Sequence, residues 1–392
     1  MNPTQRIASI DITRALTMLL MIFVNDLWSL QNIPAWLEHT AAEEDGMGLA
    51  DAVFPAFLFI VGMSIPYAVS NRIKKGDNTL QLLRHVTERS IALLVMGLFL
   101  VNGEYLDQAA TGMTRGVWNI ICCTCFIFIW NQYPGKWPKS AQYIIKGVGI
   151  AVLLLMAWIC RGGDDAQRFS TYWWGILGLI GWAYFASALI YVLGKGKFSA
   201  VFIGWIVFSG LSMATHAQLL PRGTFLSTLL GPLDNGAMPS LVMGGTLVSL
   251  IFRSYMAAGK WTSVIPLLLG IAVVLATAGL LTRPIWEISK IRATPSWVLI
   301  CSALTIGLFV ITYWLGDLQQ KAHWFKIIKP AGTDTLLCYL IPYFAYAILT
   351  MTGVFAMEAL SGWVGILKSL LFAILMIQVA GLLNKAGIRL KL

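Results

Sequence analysis

Asn25, Asp26, His39 and Asp51 carry the groups that acid–base chemistry uses, and they fall within one short stretch of chain. An imidazole takes up or releases a proton near neutral pH, a carboxylate fixes which ring nitrogen holds that proton, and an amide can position a carbonyl. Read as one constellation, His39 is the base, Asp51 its orienting carboxylate and Asn25 the amide. A solvated loop histidine is the plainer alternative, and the sequence leaves it open. Asp11 and Arg14 form a second ionisable pair, spaced so that both lie on one helix face. Such a pair either locks neighbouring helices together or offers the arginine to an anionic ligand. His216 is a rival imidazole on the same side as His39, whereas His85 and His323 read as loop residues on the other side.

The elements that must hold these groups are membrane helices. Of 392 residues, 58% are hydrophobic and only 12% charged, against roughly 25% charged in a soluble domain. Apolar segments recur at 7–30, 49–71, 87–102, 115–131, 142–160, 172–193, 198–217, 238–256, 261–281, 295–315, 334–353 and 364–384. The chain therefore reads as an all-α polytopic bundle of about 10–12 transmembrane helices, with residues 1–392 forming a single membrane domain. The first segment contains Asp11 and Arg14 and has no convincing cleavage site, so it reads as a retained span rather than a signal peptide. An ionisable group within a span costs roughly 2.5–3.5 kcal/mol at mid-bilayer, which makes each one a candidate for lining a functional cavity.

The formal charge of +10 does not indicate nucleic-acid binding, because the basic residues sit in short clusters between apolar spans. Alternate loops divide them 18 to 8 in favour of the side holding both termini. The positive-inside rule then places both termini in the cytoplasm and the loop at 31–48 outside. Only the segment from Arg283 to Arg292 fits that rule badly. The outer loop has no basic residue and carries Glu38, Glu43, Glu44 and Asp45, which would draw a cationic solute unless they merely reflect the rule itself. Cys122, Cys123 and Cys125 lack the spacing of a zinc site and read as small core residues, so no metal is expected. Gly175, Gly178 and Gly181 read as close helix packing. No P-loop, HExxH or GxSxG motif is present.

The stretch RIASIDITRALTMLLMIFVN, then WLEH, then GLADAVFPAFLFIVGMSI resembles the heparan-α-glucosaminide N-acetyltransferase family. ISKIRATPSWVL and PAGTDTLLCYLIPYF are similar to two late segments of that family. The likeness is densest over residues 6–66, sparser over 287–344 and thin between. It implies a transmembrane acetyl transfer from cytosolic acetyl-CoA to an amino sugar on the far side. It also implies that the loop histidine is His39, the amide Asn25 and the carboxylate Asp51. Coenzyme A phosphates would then be met by Arg14, beside Asp11, with Arg72, Lys74 or Arg84. The departures are Ala15 for a glycine, Asn119 for a glutamine, Asp334 for an asparagine, and a longer, more acidic stretch between His39 and Asp51. They favour a small glucosamine-like acceptor over a long heparan chain, and no counterpart of the animal lumenal domain is expected.

The implied partners are the bilayer and a small amino sugar, in a bacterial inner membrane, with a homodimer left open. Twelve spans with both ends inside also suit a secondary transporter of a sugar or amino sugar. Against that rival, the two halves show no internal repeat and the candidate residues crowd into the first hairpin. A catalytically silent member of the family is the third reading.

Overall fold

The computed structural model describes residues 7–135, 137–163, 167–219, 233, 235–353 and 361–392. Arg6, Lys136 and Arg222, counted in the charge balance, lie outside the described residues. Among the described residues, twelve long helices follow one another: α1 Ala8–Asp26, α2 Leu49–Ile73, α3 Thr79–Glu104, α4 Arg115–Trp130, α5 Lys139–Ile159 and α6 Ile176–Leu193, then α7 Phe198–His216, α8 Ala237–Ala257, α9 Val264–Trp286, α10 Pro295–Tyr313, α11 Thr335–Thr352 and α12 Gly362–Lys385. Eleven are long and apolar enough to cross a bilayer, and α4 is the shorter exception at 16 residues. The chain is a polytopic helical membrane protein. All twelve segments expected from hydropathy are helices, with α3 starting earlier than the apolar signal. A capping box between Asn78 and Gln81 starts that helix in polar sequence, which puts His85 inside α3 rather than in a loop.

Burial separates central helices from peripheral ones. In α2, 72% of the most apolar window is buried, whereas the figure is 17% for α5, α7 and α9. Helix α2 therefore forms the centre, and the other three present their apolar sides to lipid. Helices α3 and α6 meet through small residues: a Cβ on Gly97 would stand 2.5 Å from the Gly178 backbone nitrogen. Cys122, Cys123 and Cys125 are buried in the core as free thiols.

Both described chain ends lie at one end of the bundle, where Ile7 and Leu392 line the same cavity. The α1–α2 loop lies at the opposite end. Exposed Trp28, Trp158, Trp174 and Trp363 belong to that opposite end, as expected where a bilayer meets water.

Candidate active site

The site at the end of the bundle opposite the described chain ends grows from the start of α2. Gly48 precedes the helix in extended backbone, and a Cβ there would come within 2.0 Å of the Glu38 carbonyl oxygen, so only glycine lets the loop close. The buried Leu37 side chain anchors the loop from below. Asp51, in the first turn, is 1% exposed. Its Oδ2 accepts hydrogen bonds from the Gly48 and Thr40 backbone N–H groups, each at 3.0 Å. Its Oδ1 lies 2.6 Å from His39 Nδ1. With Oδ2 committed to the backbone, Oδ1 is the oxygen left to pair with the imidazole. The Trp297 indole holds the same turn from α10 by donating to the Asp51 carbonyl oxygen at 3.0 Å.

A distant segment completes the site. The Lys290 ammonium lies 3.3 Å from both nitrogens of His39. Both ring nitrogens of His39 are thus within hydrogen-bond reach of that ammonium. Burial pulls the Lys290 pKa below the ordinary lysine value, while the Asp51 charge pushes it back up. The Lys290 loop is sewn to the His39 loop: Gly46 N–H donates to the Ile288 carbonyl at 2.9 Å, and Ile288 N–H donates to Asp45 Oδ1 at 2.8 Å. Arg283 adds an ion pair to Asp45 at 2.8 Å, which holds that carboxyl below its usual pKa range. Glu287 and Ala293 flank the loop with positive φ of 55° and 53°, a backbone region that costs non-glycine residues energy.

These pairings account for the segment that fitted the charge rule badly. Arg283 is paired with Asp45, Arg292 with Glu287, and Lys290 lies in the site. Of the acids in the outer loop, Asp45 is therefore a tether, while Glu43 and Glu44 stay exposed.

His39, Asn25 and Lys290 share a pocket of about 550 Å³ with Asn235, Trp173 and Trp174, a volume within the small-molecule range of roughly 300–1,000 Å³. Indole faces beside amides and an imidazole suit a polar ligand with apolar faces, such as a sugar ring. His216 is engaged elsewhere, with Nδ1 beside the Ser212 carbonyl at 2.8 Å and Nε2 beside the Arg292 carbonyl at 2.9 Å. Asp26, next to Asn25, turns the other way. It accepts from Lys368 at 2.7 Å and from the Tyr346 hydroxyl at 3.0 Å, joining α1 to α12 and α11.

At the end that holds both termini, a larger cavity of about 1240 Å³ is lined by Asp11, Arg14, Lys74, Arg89, Arg253 and Lys391, among others. Arg14 is a brace as much as a cation. It donates to Asp11 at 3.0 Å, to the Gly332 carbonyl at 2.8 Å and to Ser64 at 2.7 Å. Arg72 and Arg84 do not line this cavity: Arg72 pairs with Asp77 at 2.6 Å, and Arg84 with Glu88 at 2.7 Å on an exposed surface. Arg89 and Arg253 stand in their place, lying over Tyr184 at 4.6 Å and Tyr67 at 5.1 Å. No local signal in the sequence marked either arginine, because only the fold brings its tyrosine to it. Asp334 also lines the cavity and accepts from Thr333 and Asn384.

Fold and site define a polytopic membrane protein with a histidine–carboxylate pair at one end of the bundle and a basic cavity at the other. The chain belongs to the family described as "Domain of unknown function (DUF5009)", whose model matches residues 6–230. It is similar to the heparan-alpha-glucosaminide N-acetyltransferase of Mus musculus, 33% identical over 146 residues, covering 34% of this chain and 21% of that protein. The Homo sapiens protein of the same name is 33% identical over 104 residues, covering 26% of this chain and 14% of its own length. The resemblance read from the motifs is thus accompanied by 33% identity over 34% of this chain or less, and the match spans about a fifth or less of each relative.

Proposed function

We propose that the protein is a membrane-embedded acyltransferase. In this reading it carries an acetyl group from acetyl-CoA, taken up in the basic cavity, to the amine of a glucosamine-like sugar in the outer pocket. The single observation that carries the proposal is the His39–Asp51 pair, 2.6 Å apart, in a pocket that His39 shares with Asn25 and Lys290. The similarity to N-acetyltransferases supports the same chemistry.

His39 Nε2 takes the proton that the sugar ammonium must lose, and Asp51 stabilises the resulting imidazolium. The freed amine attacks the thioester carbonyl carbon, a C–N bond forms, and the C–S bond breaks. The proton on Nε2 then passes to the departing thiolate, and the second proton that the nitrogen must lose to become an amide is released to solvent. Negative charge on the carbonyl oxygen during attack falls near Asn25 and the Lys290 ammonium, whose donors offset it. In the inner cavity, Arg253, Arg89 and Lys74 supply cations for phosphate groups. Both termini would then be cytoplasmic, in a plasma membrane such as a bacterial inner membrane.

The test is transfer by the purified protein from radiolabelled acetyl-CoA to glucosamine, comparing wild type with His39→Ala. Labelled N-acetylglucosamine from wild type alone supports the proposal. A wild type that neither binds acetyl-CoA nor forms product overturns it.

A further inference from the structure

We propose that Met21 is the partition between the two cavities, and that it selects the acyl group by width at the point of crossing. The first half stands on geometry alone, and the second rests on the transferase reading above. Arg14, Met18, Met21 and Asn25 recur at helical spacing and so share one face of α1. Arg14 and Met18 line the inner cavity, Asn25 lines the outer pocket, and Met21 lines both. Among the described residues it is the one side chain common to the two linings. The neighbouring walls are also divided between the two cavities. On α2, Phe57 faces the inner cavity and Phe54 the outer; on α6, Leu177 and Ile180 face the inner, and Ile176 and Leu179 the outer.

The side chain at this level is suited to a movable partition. Met21 is 2% exposed, so it fills its space in the resting structure. Its unbranched thioether can leave that space by rotating its own bonds, with no shift of the helix. From Arg14 to Asn25 the rise along α1 is about 16 Å, so a donor anchored among the inner cations needs an extended arm to bring its carbonyl carbon to His39. The end of that arm passes Met21. A slim acetyl group needs only a rotamer change there, whereas a branched or aromatic acyl group needs more room than the thioether can yield.

Two measurements decide the two halves. For the partition, Met18→Cys, Met21→Cys and Val24→Cys proteins in sealed vesicles are exposed to a charged, impermeant methanethiosulfonate from one face at a time. Labelling is read by mass on the α1 peptide, which contains none of the native cysteines. The position-18 variant should label only from the face bearing the termini, the position-24 variant only from the other, and the position-21 variant from both. Labelling at position 21 from one face or neither, while 18 and 24 react, overturns the partition. For width selection, Met21→Ala should raise the benzoyl-CoA to acetyl-CoA ratio of kcat/KM at least tenfold over wild type, with Met21→Leu close to wild type. Met21→Trp should lower kcat with acetyl-CoA at least tenfold while leaving its KM within about twofold. An unchanged ratio in Met21→Ala overturns the selection. If the wild type transfers no acyl group, the transferase reading and the selection that rests on it fall together, and the labelling pattern still decides the partition.

Discussion

At the scale of single residues, the site turns on which imidazole nitrogen holds the proton. Asp51→Asn keeps the shape but replaces an acceptor by a donor, so the amide can stabilise the opposite tautomer. Loss of the orienting carboxylate in comparable triads costs about 10⁴ in turnover, and a fall of at least 10³ in acetyl transfer is expected here, with circular dichroism confirming an intact bundle. Lys290 makes a separate prediction with a defined sign. Burial lowers its pKa from the ordinary 10.5, so the ammonium gives up its proton at a lower pH than an ordinary lysine does. If its charge offsets the developing oxyanion, kcat/KM should decline on the alkaline side below 10.5. Lys290→Met should cut activity by about 10² and remove that decline, and Lys290→Arg should move it upward, both read from pH profiles between 7 and 11. A lysine with a purely packing role would leave the shape of the profile unchanged.

At the scale of elements, what could be read from the sequence divides by how local the interaction is. The spans were legible because each buries or exposes its own apolar run, and the His39–Asp51 pair was legible because one hairpin joins the two. Lys290 was not, since it reaches His39 across 251 positions through a bridge between Gly46, Asp45 and Ile288. The arginines near the basic cavity were equally hard to sort: Arg84 and Arg89 sit one turn and a residue apart on α3, yet only Arg89 lines the cavity. Asp26 illustrates the same limit, being adjacent to Asn25 but committed to a clamp between α1, α11 and α12. That clamp is testable. Removing one partner of a buried ion pair typically costs about 3–5 kcal/mol. Lys368→Met should therefore lower the thermal midpoint in detergent by several degrees, and Asp26→Asn combined with Lys368→Met should recover much of the loss. Additive losses in the double variant would show that the two side chains do not act as a pair.

At the scale of the whole molecule, the basic cavity lies at the end of the bundle that holds the described chain ends, and the histidine pocket lies at the other. In the proposed transfer, two reactants on opposite sides meet without either crossing, which would separate a transferase from a carrier. Vesicles of known orientation, established by reporter fusions at each terminus, should form acetylated sugar only when acetyl-CoA is on the terminal side and the sugar on the other. The labelled acetyl group should appear on the sugar side while the coenzyme stays where it was added. Reversing the two additions should reduce product to the level of the His39→Ala protein. Movement of labelled glucosamine across the membrane at a comparable rate without acetyl-CoA would instead show that the same two cavities open alternately around Met21, and would make the protein a transporter.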